Sequence, residues 1–176
     1  MPDHFNRRKN TTLWWYNKSS DLYASARVLW IAMDAQKDSV LHKELGFGSG
    51  FAFDTACWPV YQMIFGMAFE LMLKAIIVST DDEPPHIHDL VKLSHFAEIE
   101  LSLEEEKVFA ILSQHILWDG RYPVPKNQGQ LQIHYANCLN LLDKTEDLDV
   151  PQSSALNNPL DWDYLNAIWM RLSQKL

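Results

Sequence analysis

The sequence predicts an all-α protein, and three observations lead to that prediction. Apolar residues recur at helical spacing in several segments, residues that cap helices precede some of these segments, and no convincing run of alternating apolar and polar residues marks a β-strand. Hydrophobic residues make up 47% of the 176 residues and charged residues 22%, which is typical of a globular domain. A chain of this length fits one core, so we predict a single domain over residues 1–176.

The first predicted helix follows Ser19 and Ser20, either of which could cap its free amide groups. Whether residues 11–18 extend this helix backward or form a separate turn stays open, and we predict that residues 1–12 are flexible. The apolar face of this helix consists of Leu22, Ala26, Leu29 and Met33.

A glycine-rich stretch over residues 41–54 comes next, in which phenylalanines flank three glycines at alternate positions. A loop that cradles phosphate would need a preceding strand and a lysine at its end, and the sequence provides neither. We therefore predict a surface loop anchored by its phenylalanines.

The second predicted helix runs from about residue 55 to 80 and is apolar on nearly all sides from Ile64 onward. Its length approaches the roughly 20 residues of a membrane span, but Glu70 and Lys74 interrupt the apolar run. We predict a helix buried at the centre of a bundle, with Pro59 kinking or starting it. Glu70 and Lys74 are spaced for a helical ion pair, which either lies on the surface or belongs to a site.

A short helix and then a longer one are predicted to follow. His88 or Asp89 can cap the first of them, which covers residues 90–96, and Ser102 with Glu105 forms a capping box at the start of the next. Gly120 stands where this second helix should stop. Its predicted inner face consists of Val108, Ile111, Leu112 and His115.

Two helices are predicted in the C-terminal part, separated by a polar connector over residues 145–158. The first covers about residues 130–144 and has an inward face of Leu131, Tyr135, Cys138, Leu141 and Leu142. Asn158 should cap the last helix, and Pro159 fits its first position. The apolar face of this last helix consists of Leu165, Ile168, Trp169 and Leu172.

Charge and cysteine content restrict the function. The formal net charge of −8 argues against a broad nucleic-acid surface but not against a local basic site. Cys57 and Cys138 give no disulfide framework, and no apolar signal segment opens the sequence, so we predict a cytoplasmic protein. His86, His88 and Asp89 are too weak a pattern to indicate a metal, and we predict neither a metal nor a cofactor.

Arg121 follows the fourth predicted helix and precedes Pro123 and Pro125. Its guanidinium could bond the free carbonyls at the end of that helix, or it could bind phosphate as a bidentate fork. Tyr122 could stack beside it, and the two prolines would stiffen the turn.

Three segments together resemble the HEPN domain family: "AFELMLKAIIV" at residues 68–78, "PPHIHDLVKL" at residues 84–93 and "DGRYP" at residues 119–123. The resemblance implies an antiparallel up-and-down bundle of four to five main helices, here with an added C-terminal helix, and usually a homodimer. It also implies a link to RNA or nucleotides, to toxin–antitoxin or phage-defence systems and to a small nucleotidyltransferase partner.

Many members of that family are metal-independent ribonucleases with a histidine four to six residues after the arginine. Here Asn127 stands in that window, and an amide cannot exchange protons near neutral pH. We predict a module that binds a nucleotide, RNA or protein partner without catalysis; the alternatives are a ribonuclease that uses Arg121 with a displaced histidine, and a structural dimer that scaffolds another protein. The predicted binding residues are Arg121, Tyr122, Lys126, Asn127, His88, Asp89, Glu70 and Lys74.

Overall fold

A computed structural model describes residues 2–33, 35–48, 50–142 and 158–176 of the chain. These residues form an all-α helical bundle without a strand, as predicted. The elements are α1 (Pro2–Lys9), α2 (Thr12–Ala32), α3 (Ala35–Leu45), α4 (Phe53–Ser79), α5 (Leu90–Phe96), α6 (Leu103–Gln114), a π-helix (His115–Asp119), α7 (Gln128–Leu142) and α8 (Trp162–Ser173).

Helix α4 is the centre of the bundle. It contacts α2, α5, α6, the π-helix and α8, and the side chains of Phe65, Phe69 and Leu73 are fully buried. Although α4 is long and apolar enough to cross a membrane, 72% of its most apolar 18-residue window is buried inside the protein. The prediction of a buried central helix is therefore confirmed. Pro59 lies inside α4 rather than at its start.

Helix α2 begins earlier than the serine pair suggested. It runs from Thr12 to Ala32, so Ser19 lies in its interior and is not a cap. The hydroxyl of the fully buried Ser19 donates a hydrogen bond to the carbonyl of Ala68 (2.7 Å) and accepts one from the indole of Trp169 (3.2 Å). These bonds satisfy the hydroxyl, which would be costly to bury without partners. They also join α2 to α4 and α8.

Two of the predicted helix caps are observed. Ser102 and Glu105 form both hydrogen bonds of the capping box at the start of α6, and the Asp89 carboxylate accepts a hydrogen bond from the amide of Lys92 at the start of α5 (3.1 Å). Each cap satisfies amide groups that the helix itself leaves free. The predicted inner face of α6 is also buried.

The two C-terminal helices need corrections. Helix α8 begins at Trp162 with Asp161 at its N-cap, whereas Asn158 accepts a hydrogen bond from the amide of Leu160 in a preceding turn. The predicted apolar face of α8 is buried. On α7, Tyr135 is 60% exposed rather than inward, and the adjacent His134 is buried in its place.

The N-terminal regions also differ from the sequence prediction. Helix α1 lies within the segment that was predicted to be flexible, and α3 extends to Leu45, so the described loop begins at Gly46. Residues 143–157, which include most of the predicted connector, lie outside the described residues.

Gly120 ends the π-helix for a packing reason. Its φ of −74° is accessible to any residue, but a Cβ at this position would lie 2.4 Å from the Cβ of Met63. Only glycine therefore allows the chain that leads to Arg121 to approach α4 so closely.

Candidate functional site

Arg121 lies directly after the π-helix and bonds back to it. Its Nη2 donates hydrogen bonds to the carbonyls of Ile116 (2.8 Å) and Leu117 (2.7 Å). This is the first of the two roles that the sequence predicts, since these carbonyls are free at a helix end. The guanidinium carbon also lies 5.4 Å from the ring centroid of Tyr122, within the range of a cation–π contact. The side chain remains exposed, so it is held in place but still accessible.

A pocket of about 350 Å³ opens beside Arg121 and is called the Arg121 pocket below. Three of the predicted binding residues, Arg121, His88 and Glu70, line it, although they lie on three separate segments. The remaining walls are apolar side chains from α4 and the π-helix, namely Met63, Met67, Leu71 and Ile116.

Glu70 lines this pocket, is nearly fully buried and has two cationic or polar partners. Its Oε1 accepts a hydrogen bond from Lys74 Nζ (2.7 Å), and its Oε2 lies 2.9 Å from His88 Nδ1. The side chains of Glu70 and Lys74 are each only 8% exposed, so the surface-pair alternative is wrong. Because an ionised carboxylate can only accept, Nδ1 of His88 carries a proton and Nε2 is left free in the neutral ring.

A second pocket of about 390 Å³ is lined by Lys74, the ion-pair partner of Glu70. It is lined by four basic or imidazole side chains together with aromatic and proline residues: Arg8, Lys9, Lys74, His86, Phe5, Trp15, Pro84 and Pro85. The His-Ile-His segment therefore contributes His86 to one pocket and His88 to the other.

The other predicted binding residues have local roles in the structure. Asp89 caps α5, and Asn127 Oδ1 accepts a hydrogen bond from the amide of Gln130 at the start of α7 (3.0 Å). Asn127 is thus engaged by the backbone. Lys126 is exposed and forms no ion pair within the described residues.

A separate cluster of His115, Asp119 and His134, called the His-Asp-His cluster below, lies where the π-helix faces α7. The potential ligand atoms of the three residues all lie within 4.8 Å of one another. Asp119 Oδ2 is 2.9 Å from His115 Nδ1 and 3.7 Å from His134 Nε2. Cys138 Sγ lies 3.7 Å from the same His134 Nε2.

Burial and charge set the protonation in this cluster. The side-chain contact with His115 holds the pKa of Asp119 below its ordinary value, and burial lowers the pKa of His134. Burial also raises the pKa of the Cys138 thiol. Near neutral pH we therefore expect an ionised Asp119, a neutral His134 and a protonated Cys138.

The sequence prediction did not include His115, Asp119 or His134 as a group. Their signal was two pairs with a spacing of four, His115 with Asp119 and His134 with Cys138. Such pairs lie on one face of a helix, but nothing in the sequence indicates that the two faces meet.

The sequence profile of the HEPN domain family matches residues 47–147, which is more than half of the 176-residue chain. The chain therefore belongs to the HEPN domain family, and the resemblance is confirmed. This membership indicates a role related to nucleotides or RNA, and domains of this family commonly dimerise. A comparison with curated proteins gives no significant match. A comparison with solved structures gives none either.

Proposed function

We propose that the Arg121 pocket binds the phosphate group of a nucleotide or an RNA end and does not cleave it. The observation that carries this proposal is that Arg121 and His88 line the same pocket. Only Nη2 of Arg121 is engaged by the two carbonyls, so Nε–H and Nη1–H can donate to phosphate oxygens. A guanidinium held by its own backbone is preorganised for such binding and loses little freedom when the ligand arrives.

The apolar walls of the pocket suit the other part of a nucleotide. Met63 and Met67 have flexible, polarisable side chains that can pack against a planar base. The volume of about 350 Å³ lies within the roughly 300–1,000 Å³ of small-molecule sites. A nucleotide with its phosphate on Arg121 and its base against the methionines would contact both the cationic and the apolar surface of the pocket.

Binding without cleavage follows from the proton-transfer groups of the pocket. Attack by a ribose 2′-hydroxyl on the adjacent phosphorus needs one group to accept a proton and one to donate a proton to the leaving oxygen. Among the described residues that line the pocket, the one imidazole is His88, and Glu70 is already bonded to Lys74. The pocket thus has a candidate base without a matching acid.

Titration calorimetry with a nucleoside monophosphate and with a short single-stranded RNA tests this proposal. Arg121→Ala should weaken binding by about 1.5–3 kcal/mol, which is roughly tenfold or more, because it removes hydrogen bonds to a charged group. Arg27→Ala is the matched control, since Arg27 is also exposed and stacks on an aromatic ring, that of Trp162. Wild-type protein that binds neither ligand would contradict the proposal and favour a scaffolding dimer.

A metal-independent ribonuclease is the second candidate, and one observation favours it. Glu70 orients His88 by a 2.9 Å contact at Nδ1, an arrangement in which Nε2 of the ring can act as a general base. Incubating labelled RNA with wild type, Arg121→Ala and His88→Gln in a chelating buffer distinguishes the two functions. Cleavage that is lost in both variants would establish the ribonuclease and overturn the non-catalytic proposal.

We also propose a homodimer that acts in the cytoplasm, in a toxin–antitoxin or phage-defence context and with a small nucleotidyltransferase as partner. The dimer is supported by the common dimerisation of this family. Light scattering that gives twice the mass of the 20.4 kDa chain would support the dimer, and a monomeric mass would contradict it.

A further inference from the structure

The His-Asp-His cluster has the spacing of a metal site. Four-coordinate Zn²⁺ holds nitrogen and oxygen ligands about 2.0–2.2 Å away, which places two such ligands roughly 3.3–3.5 Å apart. The two contacts of Asp119 Oδ2, at 2.9 Å to His115 Nδ1 and 3.7 Å to His134 Nε2, lie on either side of that separation. All three potential ligand atoms lie within 4.8 Å of one another, so side-chain adjustments would bring them around one ion.

The hydrogen bonds of the cluster do not account for its geometry. His115 Nδ1 is close to Asp119, but its N–H does not point at the carboxylate, so the nitrogen is buried without a hydrogen-bond partner. His134 Nδ1 is also buried without one. Buried polar atoms in this state are costly. A cation that binds Asp119 and lies off the straight line between the two residues would give His115 Nδ1 a partner through its lone pair.

The elements that carry the cluster fit the same interpretation. His115 and Asp119 lie at the two ends of a single π-helical turn, a rare conformation that is frequent at functional sites. His134 comes from the facing helix α7, and its side chain is only 10% exposed, compared with 6% for His115 and 26% for Asp119. The three groups are therefore largely shielded from water but not sealed off from an incoming ion.

We propose that His115, Asp119 and His134 form a binding site for a divalent transition-metal ion of the Zn²⁺ class. Two imidazoles and one carboxylate are ligands that such ions accept, and three protein ligands leave a fourth position for water or for Cys138.

The bound ion would join the π-helix to α7 and so fix the segment that positions Arg121. The carbonyls that hold Arg121 belong to Ile116 and Leu117, which lie between the two ligands of the π-helix. This inference does not rest on the proposed nucleotide binding, because it follows from a different cluster and has its own measurement.

The test is a titration of the full chain with Co²⁺ and with Zn²⁺. The protein is first freed of metal by a chelator, which is then removed. We expect one ion per chain, a visible Co²⁺ absorption spectrum of a four-coordinate site, and a higher melting temperature in the presence of Zn²⁺. A folded wild-type protein that binds neither ion stoichiometrically would overturn the proposal.

Asp119→Asn and His134→Gln test whether the ion is in the proposed place. Each replaces a ligand with a side chain of similar size and should weaken Co²⁺ binding by at least about tenfold. His95→Gln, at an exposed position on α5, is the matched control and should bind as wild type does. Circular dichroism checks that each variant is folded, and if one is not, the other variant serves as the test of the site. Undiminished Co²⁺ binding by a folded ligand variant would overturn the proposed site.

Discussion

The Arg121 pocket and the His-Asp-His cluster both draw residues from one short segment, residues 115–121, and satisfy their polar groups differently. In the pocket, Glu70 is bonded to Lys74 and His88, and Arg121 is bonded to two carbonyls. In the cluster, two imidazole nitrogens are buried without a hydrogen-bond partner.

The two regions are therefore expected to respond differently to a ligand. The pocket is complete before a ligand arrives, so a bound phosphate would add contacts to groups that are already held in place. The cluster leaves two buried imidazole nitrogens unpaired, which costs free energy, and a bound cation would give one of them, His115 Nδ1, a partner.

The largest effect is expected from Glu70→Leu, which leaves the buried Lys74 ammonium without its carboxylate. We expect a loss of about 3–5 kcal/mol in the free energy of unfolding, because one uncompensated charge remains in the core. Urea denaturation measures it. The double variant Glu70→Leu with Lys74→Met should recover most of that loss, and equal destabilisation of the single and double variants would contradict the pairing.

Gly120→Ala should have the next largest effect. The new Cβ would meet Met63 Cβ at 2.4 Å and Met63 Sδ at 2.9 Å, so the backbone must move at a cost of about 1–3 kcal/mol. Gly48→Ala is the matched control, because a Cβ there would meet nothing within 4 Å. Since Met63 lines the Arg121 pocket, Gly120→Ala should also weaken nucleotide binding. Thermal unfolding of both variants measures the loss of stability. Indistinguishable melting temperatures would contradict the close approach of Gly120 to Met63.

Ser102→Ala acts at the far end of α6 and separates general destabilisation from effects at either site. It removes one hydrogen bond of the capping box, and we expect a loss of about 1 kcal/mol. Neither nucleotide binding nor Co²⁺ binding should change while the protein stays folded. A large change in either affinity would show that the two sites depend on the stability of α6 as a whole.

Arg121→Lys should have the smallest effect on stability, within about 0.5 kcal/mol, because the side chain is exposed and an ammonium can still bond a carbonyl. Its effect on nucleotide affinity should be larger, since lysine lacks the planar fork that binds two phosphate oxygens. Denaturation of this variant measures the change in stability, and calorimetry on the same variant measures the change in nucleotide affinity. Unchanged affinity for nucleotide would mean that a point charge is sufficient at this position.

The sequence predicted those parts of the fold that depend on neighbouring residues. The capping box of Ser102, the cap of Asp89 and the burial of α4 follow from local hydrogen bonding and from apolar composition. The start of α8 was wrong because Asn158 and Pro159 favour a turn as well as a helix start. Tyr135 was placed inward because positions 134 and 135 both suit an amphipathic helix, and only the contact with the π-helix decides between them.

The candidate sites could be predicted only in part, for the same reason. The bond from Arg121 to the preceding carbonyls spans four or five residues and was expected. Arg121 meets His88 and Glu70 only because of the way in which α4, the turn before α5 and the π-helix pack together. The pairing of His134 with Asp119 likewise depends on how α7 packs against the π-helix. No local pattern carries that information.

The most direct test of the central claim combines binding and cleavage on one sample. Short single-stranded RNA is titrated into wild-type protein and into Arg121→Ala in a chelating buffer, and each sample is then run on a denaturing gel. We predict saturable binding by wild type, affinity at least about tenfold lower for the variant, and intact RNA in both. Equal affinities of the two proteins, or RNA cut by wild type and left intact by the variant, would contradict a pocket that binds phosphate through Arg121 without catalysis.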